Sequence, residues 1–159
     1  SVDKNIKIYV DYAGGYDKTE KGTSLAEKHY SAGAKVIYHA AGGTGNGVFA
    51  AAKDRAKKGE KVWVIGVDQD QEYLGKYKSK DGKDSNFVLV STIKEVGNVV
   101  KDIADKTKDG KFPGGTIVTY DLKNGGVNLG LDSANSEIKD AVAKAKADII
   151  DGKITVPSK

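Results

Sequence analysis

The chain contains no cysteine, which excludes disulfides, Cys-ligated zinc and thiol catalysis. It contains no methionine either, so no initiator is visible and Ser1 reads as the start of a processed or truncated chain. Histidine is limited to His29 and His39, and no His/Glu pair has metal-ligand spacing, so neither a metal nor a cofactor is expected. No stretch approaches the roughly 18 apolar residues of a membrane span, and the residues from Ser1 onward do not read as a signal peptide. Catalytic patterns are missing as well. There is no serine in a nucleophile elbow, no telling His-Asp spacing, and no carboxylate pair beyond Asp68 and Asp70. The expectation is a binding module and not an enzyme.

What is present suits a globular protein. The 159 residues can bury one core; 38% are hydrophobic and 30% charged. The net charge of +4 comes from 26 basic and 22 acidic residues. The lysines, such as Lys53, Lys57, Lys58, Lys61, Lys76, Lys78, Lys80 and Lys83, are scattered and mixed with acids. Without a basic stripe and interleaved aromatics they read as solvated faces, so nucleic acid is not an expected partner.

Strands and helices alternate along the first two-thirds. Residues 6–10 (IKIYV) form a β-rich run, and a Gly/Tyr/Asp loop over 12–23 leads into a helix over 24–32 stopped by Gly33. A strand over 34–40 is followed by the glycine-rich loop Gly42 to Gly47 and a helix from about Val48 to Lys58. The strand over 61–67 (KVWVIGV) is nearly all apolar, as in a parallel sheet covered on both faces. Residues 69–86 read as a polar loop with a lysine-rich excursion, and 87–91 as a strand. The pattern then predicts a helix from Lys94 to Thr107, with Val96, Val99, Val100, Ile103 and Ala104 on one stripe. Two strands over 116–122 and 126–131 are joined by a turn at Lys123-Asn124-Gly125. A last helix spans 136–150, with Ser136 as its cap and Ala141, Val142, Ala145 and Ile149 facing one way; residues 153–156 read as an extended tail. Repeated β-α-β units imply a parallel-dominated sheet sandwiched by helices, with ligands beyond the carboxyl ends of the strands.

Site residues are therefore sought at strand ends. The loop from Ala41 to Phe49 (AGGTGNGVF) follows a strand and opens a helix, so it suits either close ligand approach or a tight turn without ligand. It lacks the Gly-Lys-Ser/Thr ending of a P-loop. Gly45, Gly47 and Ala50 match a loose dinucleotide fingerprint, with Asp68 placed 21 residues after Gly47. An NAD-type oxidoreductase domain thus stays open as an alternative. Asp68 could accept two hydrogen bonds from a vicinal diol or cap its own loop. Lys94 could reach a sugar hydroxyl, pair with Asp68, or stand on the surface. Tyr16, Tyr38 and His39 could stack on a base or pack at the core rim.

Several runs together resemble the basic membrane protein family, substrate-binding lipoproteins of ABC transporters that take up purine nucleosides. These are 41–49 (AGGTGNGVF), 65–71 (IGVDQDQ), 91–96 (STIKEV), 110–112 (GKF), 126–127 (GV) and 151–157 (DGKITVP), with 12–22 (YAGGYDKTEKG) alongside. The resemblance implies one lobe of a type I periplasmic-binding-protein fold plus C-terminal crossover segments. Residues 1–93 would be the second-lobe β-α-β core, 94–131 a helix and strands belonging partly to a missing first lobe, and 132–159 a C-terminal helix and tail. The apolar stripe after Lys94 would then lack its cover, exposing a patch or driving self-association. The resemblance further implies that Asp68 and Lys94 hold the ribose, Gly43 brings backbone to the ligand, and Tyr38 and Tyr16 lie near the base. The implied partners are a purine nucleoside, an ABC permease and the N-terminal lobe. The implied location is extracytoplasmic, lipid-anchored to the cell membrane. A ligand-sensing regulatory domain of the same fold is the further alternative.

Overall fold

The computed structural model describes residues 3–132 and 134–157; Ser1 lies outside them. The fold is α/β, with a parallel-dominated sheet flanked by helices. Its elements are α1 (Thr19–Ser31), β1 (Val36–Tyr38), α2 (Asn46–Lys57), β2 (Trp63–Asp68), β3 (Lys76–Lys78), β4 (Asp84–Asn86), β5 (Val88–Lys94), α3 (Val96–Lys108), β6 (Val127–Gly130) and α4 (Ser136–Ile150). The larger sheet has the order β1-β2-β5-β6, and β3 and β4 form a separate hairpin. The chain divides into two compact units: Ser1–Val67 with Gln71–Leu89, and Asp68–Asp70 with Val90–Lys159.

The first unit holds the hydrophobic core. β1 runs parallel to β2, with Val36 opposite Trp63 and Tyr38 opposite Ile65, and the Val64 N–H bonds the Phe87 carbonyl at 2.9 Å. Ala26 and Tyr30 of α1, Phe49 and Ala52 of α2, Val64 and Phe87 are buried together. The helices approach closely because small residues meet backbone. A Cβ on Gly22 would stand 2.0 Å from the Thr44 carbonyl oxygen, and one on Gly47 would stand 2.0 Å from that of Thr19. Arg55 of α2 ties the helices further. It donates to Glu27 at 2.6 and 2.9 Å and to Ser31 at 2.8 Å, and it lies over the Tyr30 ring. Tyr30 donates in turn to the Trp63 carbonyl at 3.1 Å. Burial raises the Tyr30 phenol pKa, so it stays a neutral donor.

The second unit is thinly packed. β5 pairs antiparallel with β6, Ser91 opposite Gly130 and Lys94 opposite Val127. Neither α3 nor α4 has a buried residue, and Val96 and Val100 are exposed. Polar ties hold it instead: Tyr120 and Lys106 both donate to Asp102 at 2.6 Å.

Several expectations from the sequence need correction. The run over 6–10 is not a strand; Ile6, Ile8 and Val10 are exposed, and its backbone finds no ladder partner. A β-branched composition yields a strand only where a neighbouring strand pairs with it. Residues 116–122 are not a strand either. β6 pairs with β5, while Asp121 and Asn124 hydrogen-bond the local backbone into a turn. The expected loop over 69–86 contains the β3–β4 hairpin, Tyr77 opposite Ser85. α1 starts earlier than expected, at Thr19. Lys94 ends β5 and does not start a helix. Asn135, not Ser136, caps α4 by accepting from the Ile138 N–H. Ala141 and Ala145 of α4 are exposed, whereas Val142 and Ile149 are half-buried. Residues 153–156 add no strand.

Gly47→Ala is expected to lower stability by about 1–3 kcal/mol or more, because its methyl meets the Thr19 carbonyl and α1 must move. Gly97→Ala, in open space on α3, is expected to raise stability by about 0.5–1 kcal/mol. Chemical denaturation of the two variants checks the contrast; equal midpoints would refute the close-packing account.

Candidate functional site

In the first unit the glycine-rich segment folds as a 3-10 turn, Gly42–Gly45, running directly into α2. Thr44 is its buried centre, 1% exposed. Its hydroxyl donates to the Gly15 carbonyl at 2.9 Å and accepts the Lys18 N–H at 2.9 Å. Its own N–H bonds the Tyr16 carbonyl at 2.9 Å. The turn therefore fixes residues 15–18, the entry to α1.

That clamp places Tyr16. Gly42 adopts φ +52, and a Cβ there would sit 3.3 Å from the Tyr16 Cβ. A Cβ on Gly43 would sit 2.9 Å from the Tyr16 carbonyl oxygen. The Tyr16 ring is exposed. Tyr38 ends β1 and is exposed as well. Both tyrosines line a groove of about 1120 Å³ within this unit, whose other walls include Leu25, Ile37 and Val48. His39 is buried, edge-on to Phe49 at 5.2 Å, and its ring fills the place that a side chain on Gly45 would need.

The glycines thus have packing reasons of their own. Gly45 accommodates His39, and Gly47 accommodates Thr19 and Thr23 of α1. These are two positions of the dinucleotide fingerprint considered above. A pyrophosphate needs open backbone there, and the protein's own chain occupies the space.

In the second unit, Asp68 ends β2 with φ +69, the only non-glycine residue at positive φ among those described. An L-residue in this region costs on the order of 1–2 kcal/mol. Its carboxylate Oδ1 pairs with Lys94 Nζ at 2.7 Å. The two side chains are 50% and 71% exposed, so this pair adds only about 0–1 kcal/mol. The ion pair with Lys94 is too exposed to offset that backbone cost by itself. Nearby, Asp70 accepts from the buried Ser91 hydroxyl at 3.4 Å, and a Cβ on Gly130 would lie 3.4 Å from the Asp70 carboxylate. In the first unit, the Gln71 side-chain oxygen accepts the Val67 N–H at 2.8 Å. Asp70 and Gln71 therefore brace the chain on either side of the turn after β2.

Of the five residues expected from the sequence, Asp68 and Lys94 meet directly in the second unit. Tyr16 and Gly43 meet in the first, where Tyr38 shares the groove with Tyr16. Thr44 was missed. Its partners lie 26 and 29 residues away, and the local signal, one hydroxyl among glycines, does not reveal them.

The chain is similar to known proteins over its whole length. Residues 1–159 match the family described as ABC transporter substrate-binding protein PnrA-like. The chain is 72% identical over 162 aligned positions to the ABC transporter nucleoside-binding protein BmpA of Lactococcus lactis subsp. cremoris (strain MG1363), covering all of this chain and 46% of that protein. It is 47% identical to a CD4+ T-cell-stimulating antigen of Listeria innocua, again over all of this chain and 46% of that protein. A solute-binding protein of an ABC transporter system from Aeropyrum pernix K1 superposes with a TM-score of 0.72 at 24% identity, covering 94% of this chain and 47% of that one. The chain thus spans less than half the length of the curated relatives it matches.

Thr44→Val keeps the shape of the residue and leaves the Lys18 N–H and Gly15 carbonyl without their partner, at roughly 1–3 kcal/mol per group. Thr44→Ser keeps the hydroxyl and is expected to cost about 1 kcal/mol. Thermal unfolding should separate the two clearly, and equal losses would remove the hydroxyl from the account. Asp68→Gly is expected to leave stability unchanged or raise it by about 1 kcal/mol through relief of backbone strain. A clear loss of stability in that variant would show that Asp68 serves the fold.

Proposed function

The chain belongs to the family of PnrA-like ABC transporter substrate-binding proteins, and from that premise we propose that it forms one lobe of a binding protein that captures purine nucleosides for an ABC permease. It binds its ligand and performs no chemistry on it. The full-length protein works outside the cytoplasm, held to the membrane by a lipid anchor, and supplies a first lobe that completes the cleft. Residues 1–93 form the second-lobe core, 94–131 are shared in part with the first lobe, and 132–159 return as the C-terminal helix and tail.

The observation that carries this reading is Asp68 at the carboxyl end of β2, held at positive φ beside Lys94. An ionised carboxylate only accepts hydrogen bonds. The 2′ and 3′ hydroxyls of a ribose offer two donors at a spacing that matches its two oxygens. Lys94 holds Oδ1 at 2.7 Å, and the Asp68 side chain is half exposed, so the carboxylate stays open to a ligand. The Lys94 ammonium donates to a hydroxyl oxygen once the sugar is in place. Tyr38 and Tyr16 offer exposed ring faces to the base, and Gly43 lets backbone approach it. Closure of two lobes buries such a ligand from both sides, so this lobe alone binds weakly or not at all.

Calorimetry on the full-length protein tests the reading. Purine nucleosides should bind, and 2′-deoxynucleosides should bind about tenfold to a hundredfold more weakly, the range for one hydrogen bond to a charged group. Asp68→Asn should cost at least as much for the ribonucleoside and remove most of the 2′-hydroxyl preference. A variant that keeps both affinity and preference overturns the assignment of Asp68.

A further inference from the structure

The lysines that look scattered in the sequence are gathered by the fold. One group stands at the carboxyl end of α2 and the turn after it: Lys57, Lys58 and Lys61 around Gly59. The other lies on the β3–β4 hairpin: Lys76, Lys78, Lys80 and Lys83. The two meet where the Lys80 stem crosses the turn, its Cδ 3.7 Å from the place of a Cβ on Gly59. Both belong to the first unit.

Three acids in this region are engaged, and a fourth, Asp54, stands exposed on α2 three and four residues before Lys57 and Lys58. Glu60 accepts from Arg55 at 2.9 Å, Asp84 pairs with Lys78 at 2.7 Å and Asp81 with Lys83 at 3.1 Å. Lys57, Lys58, Lys61, Lys76 and Lys80 are exposed, and among the described residues none of them forms an ion pair with a carboxylate. The carboxyl end of α2 carries partial negative charge that one or two cations would satisfy; five exceed that need. Tyr77, the one aromatic on the hairpin, turns inward against Phe87 at 5.9 Å.

The patch therefore offers charge on long, flexible stems with no apolar anchor at its centre. A protein interface needs buried aromatic or arginine anchors, and a nucleic-acid face needs interleaved aromatics. A fluid array of anionic headgroups needs neither and responds to the number of lysines brought near it. We propose that this lysine face docks the protein on an anionic lipid surface.

Full-length protein produced without lipid modification is to be sedimented with phosphatidylglycerol-containing vesicles and with pure phosphatidylcholine vesicles. Binding is expected to the former alone, and to weaken by roughly tenfold or more from low to high salt. Reversal of the face (Lys57→Glu, Lys58→Glu, Lys61→Glu and Lys80→Glu together) should abolish it. Reversal of the same number of exposed lysines on the second unit (Lys101, Lys108, Lys111 and Lys123) should change it little. Unaltered melting curves and nucleoside affinity keep the result separate from folding and from the ligand site. Equal vesicle binding by the two reversed proteins, or binding that ignores lipid charge or salt, overturns the proposal. So does a face variant that binds vesicles normally but fails to associate with the permease, which would make a protein the partner.

Discussion

The arrangement of the first unit depends on one buried threonine. Thr44 sits in a turn that three glycines make possible, and it gives its hydroxyl and its N–H to residues 15–18. In water these groups would be solvated equally well, so the net gain is modest. In the buried site the loss of any one would leave a polar group unpaired. This asymmetry makes the contact a constraint as well as a contribution. The start of α1, the start of α2 and the backbone beneath Tyr16 must move together or not at all.

The glycines around Thr44 follow from that constraint. Gly22 admits the Thr44 carbonyl, Gly45 admits the His39 ring and Gly47 admits the first turn of α1. Each is dictated by a neighbour in the same chain. A glycine-rich strand-to-helix turn is easily read as a cradle for a ligand, and here most of the cradle is filled by protein. What remains open is Tyr16 above Gly42 and Gly43, and the groove that Tyr16 shares with Tyr38. On the proposed reading the ligand meets the turn's outer surface, while its interior keeps the helices together.

Much of this was legible in the sequence because it rests on local pattern. The apolar run before Asp68 predicts a strand with a carboxylate at its end, and residues 87–91 predict a second strand. The pairing of Asp68 with Lys94 is one of three readings that the pattern leaves open, since it starts a helix at Lys94, which in fact ends β5. Gly33, Gly59 and Gly110 stop helices where expected, each at positive φ. The failures share a different cause. Residues 6–10 have strand composition, but they share the groove with β1 and form no ladder with it. Residues 116–122 were paired in expectation with the next run along the chain, whereas that run pairs with β5, reached from 33 to 39 residues away. The β3–β4 hairpin escaped notice because its outward positions are lysines and aspartate, and only Tyr77 carries the core signal. Pairing partners distant in sequence, and strands too short or too polar for a periodic signal, are set by tertiary context.

The Asp68–Lys94 pair bears on selectivity as well as on affinity. On the proposed reading, the ligand meets a carboxylate whose charge is balanced by a lysine, so the pair is neutral overall and exerts little long-range pull on ions. A neutral nucleoside loses nothing by that. A small anion without a vicinal diol, such as a free carboxylate, offers no donor to Asp68 and finds Lys94 paired with it. To bind it, the protein would have to separate the ion pair or leave one charge facing another of the same sign. The backbone strain at Asp68 fits the same logic. A residue in a relaxed conformation could turn its carboxylate toward Lys94 in several ways, whereas the left-handed backbone limits the directions in which both oxygens point. An exposed ion pair does little for stability. Held in one orientation, it separates a donor-rich sugar from an anionic competitor.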